Sequence, residues 1–134
     1  MTRDKYPVRV LVAEDNVVNQ AVIRAMLTSL DATITIVENG AQAVEALHQN
    51  LFDIIFLDCQ MPVMNGYEAA ARMRQEQTQG KRIPIVALTA NALADDRQQC
   101  LDAGMDDYIA KPVSMIKLRA VLSQWTSVPE IVPH

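Results

Sequence analysis

The stretch DIIFLDCQMPVMNG, residues 53–66, constrains the fold of this chain most. Residues 54–57 form a short, uninterrupted apolar run, the pattern of a strand buried on both faces. The run stops at Asp58, and a turn-forming segment with Pro62, Asn65 and Gly66 follows. A carboxylate where a buried strand emerges is held rigidly beside low-dielectric surroundings. In an open α/β sheet the carboxyl ends of the strands are where ligands bind. Taken alone, Asp58 serves equally well as a cap for the next helix; the ends of the other strands decide between the two readings.

Those strands are legible in order. VRVLVA, residues 8–13, is a buried strand that runs into Glu14, Asp15 and Asn16. A first helix follows, and the recurrence of Val18, Ala21, Val22, Ala25, Met26, Ser29 and Leu30 predicts its apolar face. TITIV, residues 33–37, alternates Thr and Ile and suits a less buried strand at a sheet edge. Asn39 and Gly40 open a second helix with Ala43, Val44 and Leu47 on its apolar side. A third helix over 66–77 turns Tyr67, Ala70 and Met73 inward. Residues 85–88 form another buried strand, ending at Thr89. Asn91 begins a fourth helix that ends near Ala103, with Gly104 placed past its C-cap. MDDYIA contains a short fifth strand that closes at Lys111 and Pro112. Ser114 caps a last helix whose buried stripe is Leu118, Val121, Leu122 and Trp125. Five strand-then-helix units with short connections imply a parallel sheet with helices on both faces, because parallel strands need right-handed crossovers.

At 134 residues the chain is expected to be a single domain, with a core over about 7–126 and residues 127–134 as a tail or linker. The formal net charge of −4 and the lack of a basic cluster argue against nucleic acid as a partner. No apolar run is long enough to cross a membrane, and no signal peptide is recognisable, so a cytoplasmic setting is expected. Cys59 and Cys100 lack metal-ligand spacing and read as reduced, small hydrophobes. His48 and His134 stand apart from each other, which excludes a zinc site.

In a parallel sheet the strand ends share one edge. Glu14 and Asp15, Asp58, Thr89 and Lys111 therefore converge if their strands are neighbours. Three crowded carboxylates repel one another unless a cation joins them. They are hard oxygen ligands, too few for a calcium cage, and suit Mg²⁺ with a phosphate completing its shell. Lys111 offers a compact positive charge and Thr89 a hydroxyl, both suited to phosphoryl oxygens. A carboxylate acceptor beside a metal and a lysine points to aspartyl phosphate chemistry.

The segments EDN, LDCQMPVMNG, ALTANA and DDYIAKP, in that order, resemble the receiver domain of two-component response regulators. Their particular forms are most similar to receivers of hybrid sensor histidine kinases. The resemblance implies a flavodoxin-like (βα)5 fold with strand order 2-1-3-4-5. It implies that Asp58 is the phosphoacceptor, and that Asp15, Asp58 and the Gln60 backbone carbonyl bind Mg²⁺, with Glu14 acting through water. Thr89 and Lys111 would contact the phosphoryl group, and Tyr108 with Thr89 would form the conformational switch. Lys111-Pro112 would be cis, Ala90 matches the small residue beside the phosphoryl site, and Gln60 and Asn91 would tune dephosphorylation. The implied phosphodonor is a histidine kinase or a histidine-containing phosphotransfer domain. The chain itself would be a monomer or weak dimer that catalyses only its own phosphorylation and dephosphorylation, stand-alone or as the cytoplasmic part of a membrane-bound hybrid kinase. Asp31 stands where many relatives have Gly, which leaves the turn after the first helix open. A dehalogenase-type phosphatase would need an acid where Gln60 stands, and a flavodoxin would need an anion-binding loop where Glu14 and Asp15 stand. A degenerate receiver, acting only as a protein-binding module, would lack one of the acids or the lysine.

Overall fold

Five parallel strands form one sheet in the order β2-β1-β3-β4-β5, as the family resemblance implies. The computed structural model describes residues 8–76, 82–90 and 94–126. Asn91 and the tail from 127 onward, both assigned roles from sequence, lie outside these residues. The strands are β1 (Arg9–Ala13), β2 (Thr33–Val37), β3 (Ile54–Asp58), β4 (Ile85–Thr89) and β5 (Asp107–Ala110). They alternate with α1 (Val17–Ser29), α2 (Gly40–Gln49), α3 (Gly66–Glu76), α4 (Ala94–Asp102) and α5 (Met115–Trp125). β3 and β4 are buried at every position, matching their unbroken apolar runs. β2 is only partly buried, as its Thr-Ile alternation predicts for an edge.

Alternate residues of each strand feed two separate cores. Val10, Val12, Ile54, Phe56, Val86, Leu88 and Ile109 face α1 and α5. Leu11, Ala13, Ile55, Leu57, Ile85 and Ala87 face α2, α3 and the Cys100 side of α4. In-register pairing of Val10 with Ile54, Phe56 with Val86 and Leu88 with Ile109 keeps each set on one face.

Capping explains where the helices begin and end. Asn16, Asn39 and Ser114 accept hydrogen bonds from the backbone N–H groups of Asn19, Gln42 and Lys117. Asn65 and Glu68 exchange reciprocal bonds of 2.9 and 3.2 Å at the start of α3, a capping box. α4 stops at Gly104, whose φ of 98° is left-handed. The Met105 N–H then bonds Cys100 O and the Gly104 N–H bonds Leu101 O, the Schellman arrangement. α1 ends the same way on Asp31, with φ 64°, so the expected loss of Gly leaves the turn unchanged.

The face assigned to α1 from periodicity is corrected by the structure. Ile23, Leu27 and Leu30 are the buried residues, with Met26 partly buried against them. Val18 is 69% exposed and Val22 44%, and Ala21 and Ala25 are exposed as well. Together, Val17, Val18, Ala21, Val22, Ile23, Ala25, Met26, Leu27 and Leu30 cover more than half the circumference of this helix, so apolar spacing alone fits two faces. The bulkier Ile and Leu take the inner one because they fill more of the space over β1 and β3.

Candidate functional site

β1, β3, β4 and β5 are contiguous in the sheet, so Glu14, Asp15, Asp58, Thr89 and Lys111 meet at its carboxyl edge. The ladder continues just past the strand ends. Glu14 N–H bonds Val37 O, Cys59 N–H bonds Leu88 O, and Lys111 N–H bonds Thr89 O at 2.7 Å. These bonds fix the backbone from which each side chain projects. Carboxylate oxygens of Glu14, Asp15 and Asp58 lie within 4.8 Å of one another. Glu14 and Asp58 are buried, at 1% and 4% exposure, whereas Asp15 faces solvent.

Lys111 joins the two buried acids. Its Nζ donates to Asp58 Oδ2 at 2.8 Å and lies 3.1 Å from Glu14 Oε1. Burial alone would pull the ammonium pKa down, but Asp58 first and then Glu14 outweigh it and hold Lys111 above its ordinary value. The opposite happens to Glu14. Burial, followed by the neighbouring Asp58, raises its pKa, despite the Lys111 contact and the Asn16 N–H that donates to Oε2 at 3.1 Å. Asp58 Oδ1 accepts from the Gln60 N–H at 3.0 Å, and Gln20 Nε2 donates to the Glu14 carbonyl at 2.5 Å. Three carboxylates against one ammonium leave the pocket with excess negative charge. A hard, oxygen-preferring divalent cation fits that donor set, and Mg²⁺ matches a site open on its Asp15 side.

The loop between β3 and α3 is held close to Asp58. A Cβ on Gly66 would stand 2.4 Å from the Asp58 carbonyl oxygen, so only glycine permits this approach. Within the loop Val63 is 84% exposed and has φ 68°. The Met64 N–H bonds Pro62 O at 2.7 Å around it, a three-residue turn that is rare and strained for a β-branched side chain. The Lys111-Pro112 peptide is cis. Thr89 is buried and Ala90, its neighbour, is exposed. Cys59 and Cys100 are both free and buried, and burial raises the Cys59 thiol pKa, which keeps it protonated and unreactive beside Asp58.

Tyr108 is set apart from the carboxylates, half-buried on β5. The Arg97 guanidinium of α4 lies 5.2 Å from its ring centroid. Asp107 accepts from the Tyr108 N–H and from Trp125 Nε1, each at 2.8 Å. Neither Arg97 nor the Asp107–Trp125 link stands out in the sequence, because each depends on a partner from another element. The double hold of Lys111 on Glu14 and Asp58 likewise depends on side-chain reach that the sequence does not display, though the alternation of strands brings the three residues to one edge.

A family model described as the response regulator receiver domain matches residues 10–123. Hybrid signal transduction histidine kinase I of Dictyostelium discoideum is 41% identical over 123 residues, covering 87% of this chain. The match spans 7% of that relative's length. The receiver domain of a sensor histidine kinase from Pseudomonas aeruginosa PAO1, crystallised with magnesium in its active site cleft, is 48% identical with a TM-score of 0.81. That match covers 88% of this chain and 96% of the other. The receiver domain of a Saccharomyces cerevisiae response regulator, solved with its histidine phosphotransfer protein, is 30% identical with a TM-score of 0.86, covering 99% and 97%. With that breadth of match on the fold and edge described above, the chain belongs to the response regulator receiver domains of two-component signalling.

Proposed function

We propose that Asp58 accepts a phosphoryl group from a phosphohistidine and that the resulting aspartyl phosphate switches the α4–β5–α5 face. The observation that carries this reading is Lys111 Nζ, 2.8 Å from Asp58 Oδ2 inside a cluster of three carboxylates. An Asp58 oxygen attacks phosphorus as the P–N bond to the donor imidazole breaks, and the leaving nitrogen keeps the bonding pair. Burial at 4% exposure and the Gln60 N–H hold the acceptor carboxylate in one orientation before transfer. Lys111 would stabilise the charge on the transferring oxygens, and the Thr89 hydroxyl would donate to one of them. Asp15, Asp58 and the Gln60 carbonyl would hold Mg²⁺, with Glu14 through water. When bound, the ion supplies neutralisation and orientation of phosphoryl oxygens. Gln60 and Asn91 would set the dephosphorylation rate, and Tyr108 would follow Thr89.

The donor in this reading is a histidine kinase or histidine phosphotransfer domain. It is supported by the hybrid kinases among the relatives and by the yeast receiver solved with such a protein. The receiver unit occupies about residues 7–126 and works on the cytoplasmic side. With Mg²⁺ and a small acyl phosphate, mass spectrometry should find one hydroxylamine-labile phosphoryl group, on Asp58. Label on Ser, Thr or His, or undiminished labelling of Asp58→Asn, sinks the assignment. An unlabelled protein would be a degenerate receiver that only binds partners.

A further inference from the structure

α4 is fastened unevenly. At its C-terminal end Arg74 Nε and Arg82 Nη2 donate to the Gly104 carbonyl at 2.8 and 3.2 Å. Both arginines also bond Asp106, at 2.7 and 2.8 Å, and Asp106 Oδ2 accepts from the Ile85 N–H. That end of the helix is thereby tied to α3 and β4. Further along, attachment to the sheet is sparse: of residues 97–102 only Cys100 is buried. Arg97, one turn before Cys100, is exposed, yet its guanidinium lies over the Tyr108 ring at 5.2 Å from the centroid. The main chain under that ring is fixed separately, by the Asp107 bonds to the Tyr108 N–H and Trp125 Nε1. These bonds hold the β5 backbone independently of the ring, and the contact with Arg97 favours the orientation that the half-buried ring now has.

We infer that Arg97 is a positioning residue: it holds Tyr108 in its present half-buried orientation, the unswitched one, and so sets the resting balance of the switch. This rests on the reading of Tyr108 as the switch residue. A cation over an aromatic face is attracted by the ring quadrupole. Any conformer in which the ring leaves the guanidinium forfeits that attraction, so the contact weights the population toward the unswitched state. The sign of the effect separates this role from simple electrostatics. Arg97 is a positive charge, and an anionic phosphoryl mimic at Asp58 would bind more weakly without it if only through-space attraction mattered. If Arg97 restrains the ring, removing it makes the same mimic bind more tightly, because less is lost on switching.

The test is beryllofluoride binding with Mg²⁺, followed by NMR titration of the intact chain. Arg97 is exposed, so its variants should fold, which a melting curve verifies. Arg97→Gln should bind about two- to fivefold more tightly than wild type, from the attraction expected at an exposed cation–aromatic pair. Arg97→Lys, which keeps a cation, should stay near wild type. In a Tyr108→Leu background Arg97→Gln should change nothing. Unchanged or weaker binding by Arg97→Gln, or a gain that persists without the Tyr108 ring, overturns the inference. Failure of the underlying reading shows separately: Tyr108→Leu alone would then give the full wild-type response of α4 and β5, which removes the basis for the Arg97 role as well.

Discussion

At the scale of single residues, the site is a balance between burial and charge. Glu14 is almost fully buried beside Asp58, and its pKa is raised above the ordinary 4.5, burial first and Asp58 second. A group whose folded pKa is raised favours the folded state most when protonated. Its contribution is therefore complete below about 4.5 and is lost as pH climbs through the raised folded value. Lys111 is raised too, above 10.5, so its pairing survives through neutrality and is lost only at alkaline pH. In metal-free protein, Glu14→Gln should accordingly gain stability over wild type between pH 4 and pH 7. Urea denaturation at the two pH values measures it, and a difference that stays constant across this window would count against the cause given. The residues that meet at the carboxyl edge were legible in the sequence because each closes a strand and each differs in type from the apolar run before it. Their pairing was not, since whether Lys111 reaches Glu14 as well as Asp58 depends on side-chain reach across three strands.

At the scale of elements, α1 shows where pattern reading stops. Its apolar residues occupy so much of the helix that periodicity accommodates either face, and only packing over β1 and β3 selects Ile23, Leu27 and Leu30. Leu27→Ala should therefore cost about 2–5 kcal/mol, whereas Val18→Ala, 69% exposed, should stay within about 0.5 kcal/mol. Equal losses in the two variants would restore the face read from the sequence. A second contrast lies at the opposite edge of the sheet from the carboxylates. Arg74 bonds Gly104 O, Ile83 O and Asp106, with its side chain 16% exposed, while Arg82 shares Asp106 but is 60% exposed. Arg74→Met should lose about 2–3 kcal/mol, since it strips bonds from partly buried acceptors. Arg82→Met should lose no more than about 1 kcal/mol, because solvent screens an exposed pair. Denaturant midpoints at neutral pH compare them directly. Two of the four Asn and Ser caps, Asn39 and Ser114, could by contrast be read from sequence, because capping is a local bargain between one side chain and the next turn.

At the scale of the whole molecule, the alternation of strands and helices was readable because parallel strands tolerate few connections, and each buried run ended in polar residues. The links between the site and the far face were not readable. Arg97 to Tyr108, and Trp125 through Asp107 to the Tyr108 backbone, join elements that local patterning treats separately. Those links bear on how complete the proposed switch would be. Moving a two-state equilibrium from 1:99 to 99:1 takes about 5.5 kcal/mol of differential interaction. New charge-assisted hydrogen bonds supply roughly 1.5–3 kcal/mol each. Lys111 already bonds Asp58 and lies beside Glu14 before any phosphoryl group arrives, so much of its attraction is common to both states and shifts nothing. In the proposed switch, the differential part would then fall on Thr89 and on whatever Tyr108 gains by turning. The switch should therefore be partial, with some switched conformer present in the unmodified chain. The Trp125 indole N–H, bonded to Asp107 beside Tyr108, gives one NMR resonance that reports this face. Across free wild type, beryllofluoride-loaded wild type and loaded Thr89→Ala, that resonance should fall on one line between two end states. Thr89→Ala should still bind the mimic but lie nearer the free position. A loaded Thr89→Ala resonance coincident with loaded wild type would place the differential interaction elsewhere, and would leave Lys111 as the residue that must move.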